Sequence, residues 1–290
     1  MAKNDRRPDG PQTHPIVPDY PADSFAGTAE SYARYRVPYP QDLIDDLRAR
    51  AGITSDGRLL DLACGTGQVA LSMAPYFREV WAVDREPDMV AVGRRAATAC
   101  GAGNVVWKVG RAEDLAAPAG VFELITIGNA FHRLNRRLVG RKAMEWLGPG
   151  GSLAVMGSSS LWTGREDWQS IAIDVVRRWT PEEPTVERRE SDQPRETFEE
   201  ALRFAGFSEI EEHTFPVPYV WSLDAFVGYL YSLSGVSKRV LGNRAEKMEA
   251  DLRQTLLSYD ASGRYSETIA FFVILARRPP TSRNLREPNT

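Results

Sequence analysis

Cysteine and histidine are scarce in this 290-residue chain, with two and three copies. Cys64 and Cys100 cannot build the disulfide framework of a small secreted domain, and so low a count suits a reducing cytosol. His14, His132 and His213 stand far apart, with no close Cys/His pairing to supply metal-ligand spacing, so no metal is expected. An excess of one charge is missing too: 36 Lys and Arg face 39 Asp and Glu, for a net charge of -3. That balance excludes the basic field on which non-specific nucleic-acid binding depends. The longest apolar run, Ile269 to Ala276, is far short of the roughly 20 residues of a membrane helix and reads as a strand. The opening residues lack the charged region and apolar run of a secretory signal. Residues 1–23 and 279–290 are polar and Pro-rich, which predicts a disordered arm and a disordered tail. Neither a Gly-x-Ser-x-Gly nucleophile turn nor a Gly-Lys-Ser/Thr phosphate loop occurs. The expectation is a cytoplasmic protein with neither membrane nor nucleic-acid partners.

What the chain does contain is an alternation of short strands and helices. Leu59 to Leu62 reads as a buried strand that stops in the turn Ala63-Cys64-Gly65-Thr66-Gly67. Ahead of it, Leu43, Ile44 and Leu47 recur at helical spacing, with Gly52 as a stop signal. After it the pattern predicts a helix over 69–76, a strand over 79–83 ending at Asp84, a helix over 89–100, and strands over 105–109, 122–127 and 153–156. The last of these follows a turn, Gly148-Pro149-Gly150-Gly151. Such alternation implies βαβ units and a doubly wound, mostly parallel α/β sheet. Beyond Ser160 the regularity breaks. A helix over 197–205, an interrupted strand over 210–221, helices over 222–233 and 243–259 and a closing strand over 268–276 remain. The predicted organisation is a cofactor-binding core over 24–160, completed by 197–221 and 264–278. Two insertions, 161–196 and 222–263, form one cap over the ligand edge of the sheet.

Gly65 and Gly67 have no Cβ, so they can take positive φ and let a nucleoside approach the main chain. Asp61 leaves a carboxylate near the carboxyl end of its strand, where open α/β sheets bind ligands. Asp84 ends the next strand roughly 20 residues on, where an acid can accept hydrogen bonds from ribose hydroxyls. The alternative for Asp84 is a cap on the following helix, since Pro87 sits at a plausible first turn.

Asp61-Leu62-Ala63-Cys64-Gly65-Thr66-Gly67 resembles the nucleotide-loop motif of class I S-adenosylmethionine-dependent methyltransferases, most closely the small-molecule branch that includes trans-aconitate and ubiquinone/menaquinone biosynthesis enzymes. Further pieces agree in order: Asp84 with Met89, Gly110-Arg111-Ala112-Glu113-Asp114-Leu115, Gly128-Asn129-Ala130-Phe131-His132, and Leu147-Gly148-Pro149-Gly150-Gly151. The resemblance covers about residues 25–160. It implies a seven-stranded Rossmann-like sheet with an inserted helical cap, S-adenosylmethionine as cofactor and S-adenosylhomocysteine as product.

On that resemblance Asp61, Ala63, Gly65 and Gly67 lie against the methionine and ribose portions, Asp84 binds the ribose diol, and Met89 lies near the adenine. Ala112 belongs to the adenine site, with Glu113 or Asp114 meeting the amino group. The segment Phe25 to Pro40 is similar to an entry segment in which Tyr and Arg close over the cofactor, so Tyr32 and Arg36 approach the methionine carboxylate, an Arg fork suiting a carboxylate. Asn129 opens the loop that carries His132, the candidate catalytic base or orienting group. Relatives often carry Phe-His-Trp where this chain has Phe131-His132-Arg133, which removes an expected aromatic. Each residue also has a structural reading: Met89 as helix core, Glu113 and Asp114 as solvated loop charges, Tyr32 as core packing, His132 as a local hydrogen-bond former.

Trp162, Trp168, Trp179, Tyr219, Trp221, Phe226, Tyr229 and Tyr231 concentrate aromatic surface in the cap. They suit an apolar or aromatic small-molecule acceptor; the resemblance implies methylation of an oxygen (phenol, hydroxyl or carboxylate) of a secondary metabolite, with nitrogen and carbon as the alternatives. The same rings could build the cap's own core or a homodimer contact. Two other functions share these features: an NAD(P)-dependent oxidoreductase, which the missing third glycine disfavours, and a cofactor-binding protein or cyclase that transfers no methyl group.

Overall fold

The computed structural model describes residues 23–180 and 196–279, so the predicted arm and tail lie outside it but for one residue each. Two entry helices, α1 (Ala29–Tyr35) and α2 (Gln41–Ala51), lead into β1 (Arg58–Leu62). The chain continues through α3 (Gln68–Met73), β2 (Glu79–Asp84), α4 (Pro87–Cys100), β3 (Val105–Val109), β4 (Phe122–Gly128), α5 (Arg136–Trp146) and β5 (Leu147–Ser158). Then come α6 (Asp167–Trp179), α7 (Phe198–Ala205), β6 (Glu209–Ser222), α8 (Leu223–Tyr231), α9 (Lys238–Leu241), α10 (Ala245–Tyr259) and β7 (Arg264–Arg277). Among the described residues no helix is long and apolar enough to cross a membrane.

The seven strands form one sheet in the order β3-β2-β1-β4-β5-β7-β6. The first five pair in parallel, and β7 runs antiparallel to both β5 and β6. This is the predicted doubly wound class. The order reverses at β1, whose two parallel neighbours are β2 and β4, so its carboxyl end opens into the crevice where ligands bind.

Three local expectations change. Gly148 to Gly151 is not a turn ahead of a short strand but a bulge inside a long one: Leu147 already pairs with Phe122, and Ser152 pairs with Leu124. A Cβ on Gly151 would stand 3.0 Å from the Phe122 carbonyl, so the bulge needs glycine there. β6 runs unbroken through Pro216 and Pro218, because it is the edge strand and prolines two residues apart put both missing N–H groups on one side. The four-residue α9 has too few residues for a visible helical period, and was not expected.

β7 pairs with β5 only from Phe271 onward but with β6 from Arg264 onward. The overhang, residues 264–270, therefore projects roughly 23 Å beyond the carboxyl edge of the parallel strands, at about 3.3 Å per residue. The cap packs on this ribbon: the Trp168 indole of α6 donates to the Ser266 carbonyl at 2.9 Å and lies 5.4 Å from the Tyr265 ring. Trp168, Trp221, Phe226 and Tyr231 are buried, and Trp162, Trp179, Tyr219 and Tyr229 pack against them. Most of the aromatic surface thus serves as core. One continuous cluster runs from Leu59, Val80 and Leu124 on the sheet to Met248 and Leu256 on α10.

Candidate active site

The turn after β1 is built from left-handed residues: Ala63 at φ 52°, Gly65 at 55° and Gly67 at 85°. Ala63 carries a Cβ, so its conformation costs on the order of 1–2 kcal/mol and must be held by its surroundings. Two hydrogen bonds to the end of β2 hold it, from Cys64 N–H to the Val83 carbonyl at 3.0 Å and from Gly65 N–H to Asp84 Oδ2 at 2.7 Å. The other Asp84 oxygen accepts from Glu86 N–H at 2.9 Å, just ahead of α4. One carboxylate thus fixes the turn and the Asp84–Glu86 link, while α4 itself, whose N-cap is Glu86, has no side-chain cap. Burial pushes the Asp84 pKa up against the pull of these bonds.

Asp61 is a tie between three elements. Its oxygens accept from Thr126 Oγ1 on β4 at 2.7 Å and from Ala70 N–H in the first turn of α3 at 3.1 Å. Desolvation raises its pKa to about 7. Gly67 has a neighbour that sequence reasoning missed. A Cβ there would stand 2.4 Å from the Trp107 ring, which also presses on Gly93 of α4.

α1 lies directly over the turn. The Tyr32 ring covers Gly65, 3.5 Å from where a Cβ would be, and meets Phe25 edge to face. The Arg36 guanidinium lies 4.8 Å from the Tyr32 ring centre and 5.2 Å from that of Tyr229, and bonds to Ser232 Oγ at 2.9 Å and to the Ser232 carbonyl at 3.3 Å. It forms no ion pair among the described residues. Tyr39 Oη, beside Gly128, is buried with no hydrogen-bond partner among the described residues. Ser232 could not be chosen from sequence, since its proximity to Arg36, 196 residues away, is created by the fold; Tyr39 lies in the entry segment, but only the fold shows its hydroxyl buried without a partner among the described residues.

Met89 is buried and packs with Ala29, Val92, Phe25 and Tyr32, so it joins α4 to the entry helix. Ala112 is buried in the cluster on the other face of the sheet. Glu113 Oε1 accepts from Asn135 N–H at 3.1 Å, which ties it to the start of α5, while the Asp114 carboxylate is exposed, 3.7 Å from Arg111 Nε. Asn129 is a left-handed non-glycine at φ 50°, and its Oδ1 accepts from Ser158 N–H at 3.0 Å, so it ties the ends of β4 and β5 together.

A chamber of about 360 Å³ opens at the ends of β4 and β5. Arg36, Gln68 and Asn129 line its mouth beside the glycine turn, His132 and Arg133 line one wall, and Trp162, Trp221, Phe226 and Tyr229 line the cap side. The chamber does not border Asp61, Gly65, Gly67, Asp84, Met89, Glu113 or Asp114, so the expected site residues fall into two adjoining regions. His132 sits in a single 3-10 turn, Phe131–Arg133. Burial lowers its pKa to about 4, reinforced by the Arg133 and Arg136 charges. The expected base near pH 7 is therefore a neutral imidazole with a weakly basic nitrogen. Arg133, in place of the expected aromatic, stands 4.7 Å from the Phe25 ring centre.

Comparison with known proteins agrees with this arrangement. Residues 59–151 match a family described as a methyltransferase domain. A Dictyostelium discoideum protein named as a methyltransferase is 24% identical, over 81% of this chain and 85% of that protein. The ubiquinone/menaquinone biosynthesis C-methyltransferase UbiE of Rubrivivax gelatinosus is 33% identical over 53% of this chain, which spans 64% of that relative's length. The crystal structure of the Bacillus subtilis YcgJ protein superposes with a TM-score of 0.54 at 18% identity, covering 83% of this chain and 99% of that one.

Proposed function

We propose that this chain is a class I S-adenosylmethionine-dependent methyltransferase that methylates an oxygen of a small apolar or aromatic metabolite in the cytoplasm. One observation carries the reading. Arg36, Gln68 and Asn129, which flank the glycine turn, line the same chamber as His132 and the aromatic cap.

The residues present fit the cofactor. Gly65 leaves bare backbone under Tyr32, Asp84 stands at the adjoining strand end, and Arg36 and the unpartnered Tyr39 hydroxyl offer donors to a carboxylate. Of the two acids proposed for the adenine amino group, Asp114 is the freer, because Glu113 holds Asn135. When bound, S-adenosylmethionine supplies an electrophilic methyl group for in-line displacement, leaving S-adenosylhomocysteine. Holding the acceptor at near-attack distance then supplies much of the acceleration. The chamber wall holds the acceptor, and Arg133 places positive charge on the wall that faces an oxygen reacting as phenolate or carboxylate. Neutral His132 orients that oxygen by a hydrogen bond.

Methyl-labelled cofactor and a small-molecule extract test the reading. Label in an extractable acceptor is the expected result, whereas cofactor retained without transfer is the behaviour of the cyclase-like alternative. Since the His132 pKa lies near 4 rather than 6.5, kcat on the acceptor so found should show no inflection near pH 6.5 and should fall only as pH drops towards 4. His132→Ala should lower kcat roughly 10- to 100-fold with little change in S-adenosylhomocysteine affinity. Full turnover by that variant would remove the orienting role.

A further inference from the structure

The cap side of the chamber holds one carboxylate, Glu267, on the overhanging part of β7. One oxygen accepts from the Trp221 indole N–H and the other from the Gln169 side-chain amide at 2.8 Å. The amide orientation is set, because Gln169 is 1% exposed and its own oxygen accepts from Glu166 N–H at 3.0 Å. Both donors are neutral. Glu267 forms no ion pair among the described residues, unlike Asp46, Glu196, Asp224 and Glu249, each of which pairs with an arginine.

Around it stand aromatic faces. The Trp221 ring lies 5.0 Å from Tyr229 and 5.9 Å from Phe226, and both neighbours line the chamber. Ring faces carry the negative side of the aromatic quadrupole, so they add to the field of a carboxylate and attract a cation from a partly desolvated wall. An uncompensated charge in such a wall is costly unless a ligand neutralises it. Arg36 already lies 5.2 Å from the Tyr229 ring centre, which leaves Trp221 and Phe226 as the rings beside Glu267 without a cation on them among the described residues, and Arg133 lines the chamber next to His132.

We propose that Glu267, framed by Trp221, Tyr229 and Phe226, recognises a cationic nitrogen on the acceptor, which makes the substrate an amine-bearing small molecule. The inference rests on the chamber being the acceptor site. An acceptor without a cationic nitrogen would leave the carboxylate without a counter-charge, whatever the charge of its reacting oxygen, so the site disfavours it as well as attracting the amine.

Three probes of matched shape test this on the full chain saturated with S-adenosylhomocysteine, with binding followed by tryptophan fluorescence: phenethylamine, phenethyl alcohol and 3-phenylpropionate. Phenethylamine should bind at least tenfold more tightly than either of the others at pH 7, and Glu267→Gln should abolish that preference. Equal affinities, or tightest binding of 3-phenylpropionate, overturn the role of Glu267 and leave the chamber in place. No binding by any probe overturns the chamber as acceptor site and the inference with it. The cofactor's sulfonium is the other cation within reach. If Glu267→Gln changes the ratio of S-adenosylmethionine to S-adenosylhomocysteine affinity, the carboxylate serves the cofactor and the proposal falls; an unchanged ratio supports it. Should the variant not fold, the wild-type ranking of the three probes decides by itself.

Discussion

Trp107 explains two glycines that look alike in sequence and differ in physics. Its ring blocks a Cβ at Gly67 and at Gly93, but only Gly67 also has positive φ. Gly67→Ala should therefore suffer overlap, about 1–3 kcal/mol, plus left-handed strain of about 1–2 kcal/mol. Gly93→Ala should suffer the overlap alone, set against a gain of up to about 1 kcal/mol in helix propensity. In a Trp107→Leu background Gly93→Ala should recover most of its loss, the Thr66 carbonyl 3.1 Å from the new Cβ being the remaining obstacle, while Gly67→Ala should still lower Tm through its positive φ. Thermal unfolding of the two single and two double variants checks this, and equal rescue of both would show that φ at 67 costs nothing. Gly67 was legible as part of a ligand turn because glycine takes such backbone without strain, whereas Gly93 inside α4 carried no signal. The contact with Trp107 was not legible, because Trp107 lies 40 positions from Gly67 and meets it only through the pairing of β2 with β3.

At the scale of elements, α1 holds the site because α8 holds α1. The Tyr35 ring lies flat on Gly228, where a Cβ would approach its carbons to 2.3–2.5 Å, and Arg36 reaches Ser232 just past the end of α8. Gly228→Ala should displace the Tyr35 ring and lift Tyr32 from the glycine turn. S-adenosylhomocysteine affinity should fall roughly tenfold, about 1.4 kcal/mol, by titration calorimetry. An unchanged Kd would mean that α1 contributes nothing to cofactor binding. The strands and helices of the core were legible from periodicity, but the docking of α1 on α8 was not: their segments lie nearly 200 residues apart, and a glycine inside an apolar helix carries no signal of its partner. His132 shows the same limit, since its type, its loop and its sequence neighbours Arg133 and Arg136 were readable, whereas the burial that chiefly lowers its pKa is created by the fold.

Across the whole molecule, the cap and the sheet share one hydrophobic cluster, so the cap has no core of its own to unfold around. Thermal unfolding should be a single transition, with tryptophan fluorescence, weighted to the cap by Trp162, Trp168, Trp179 and Trp221, coinciding with far-UV circular dichroism. Two separated transitions would show an independent cap. The sequence by itself determined the parallel sheet and the glycine turn, because each depends on short-range patterns: periodicity, glycines at a strand end and an acid at the end of the next strand; the class of cofactor came from the resemblance of those motifs to a known family. Only the tertiary structure decided what lines the chamber. Glu267, Gln169, Trp221 and Tyr229 come from separate segments that converge when the β6–β7 ribbon overhangs the sheet and the cap helices close on it, and no local pattern records a contact made at that distance along the chain.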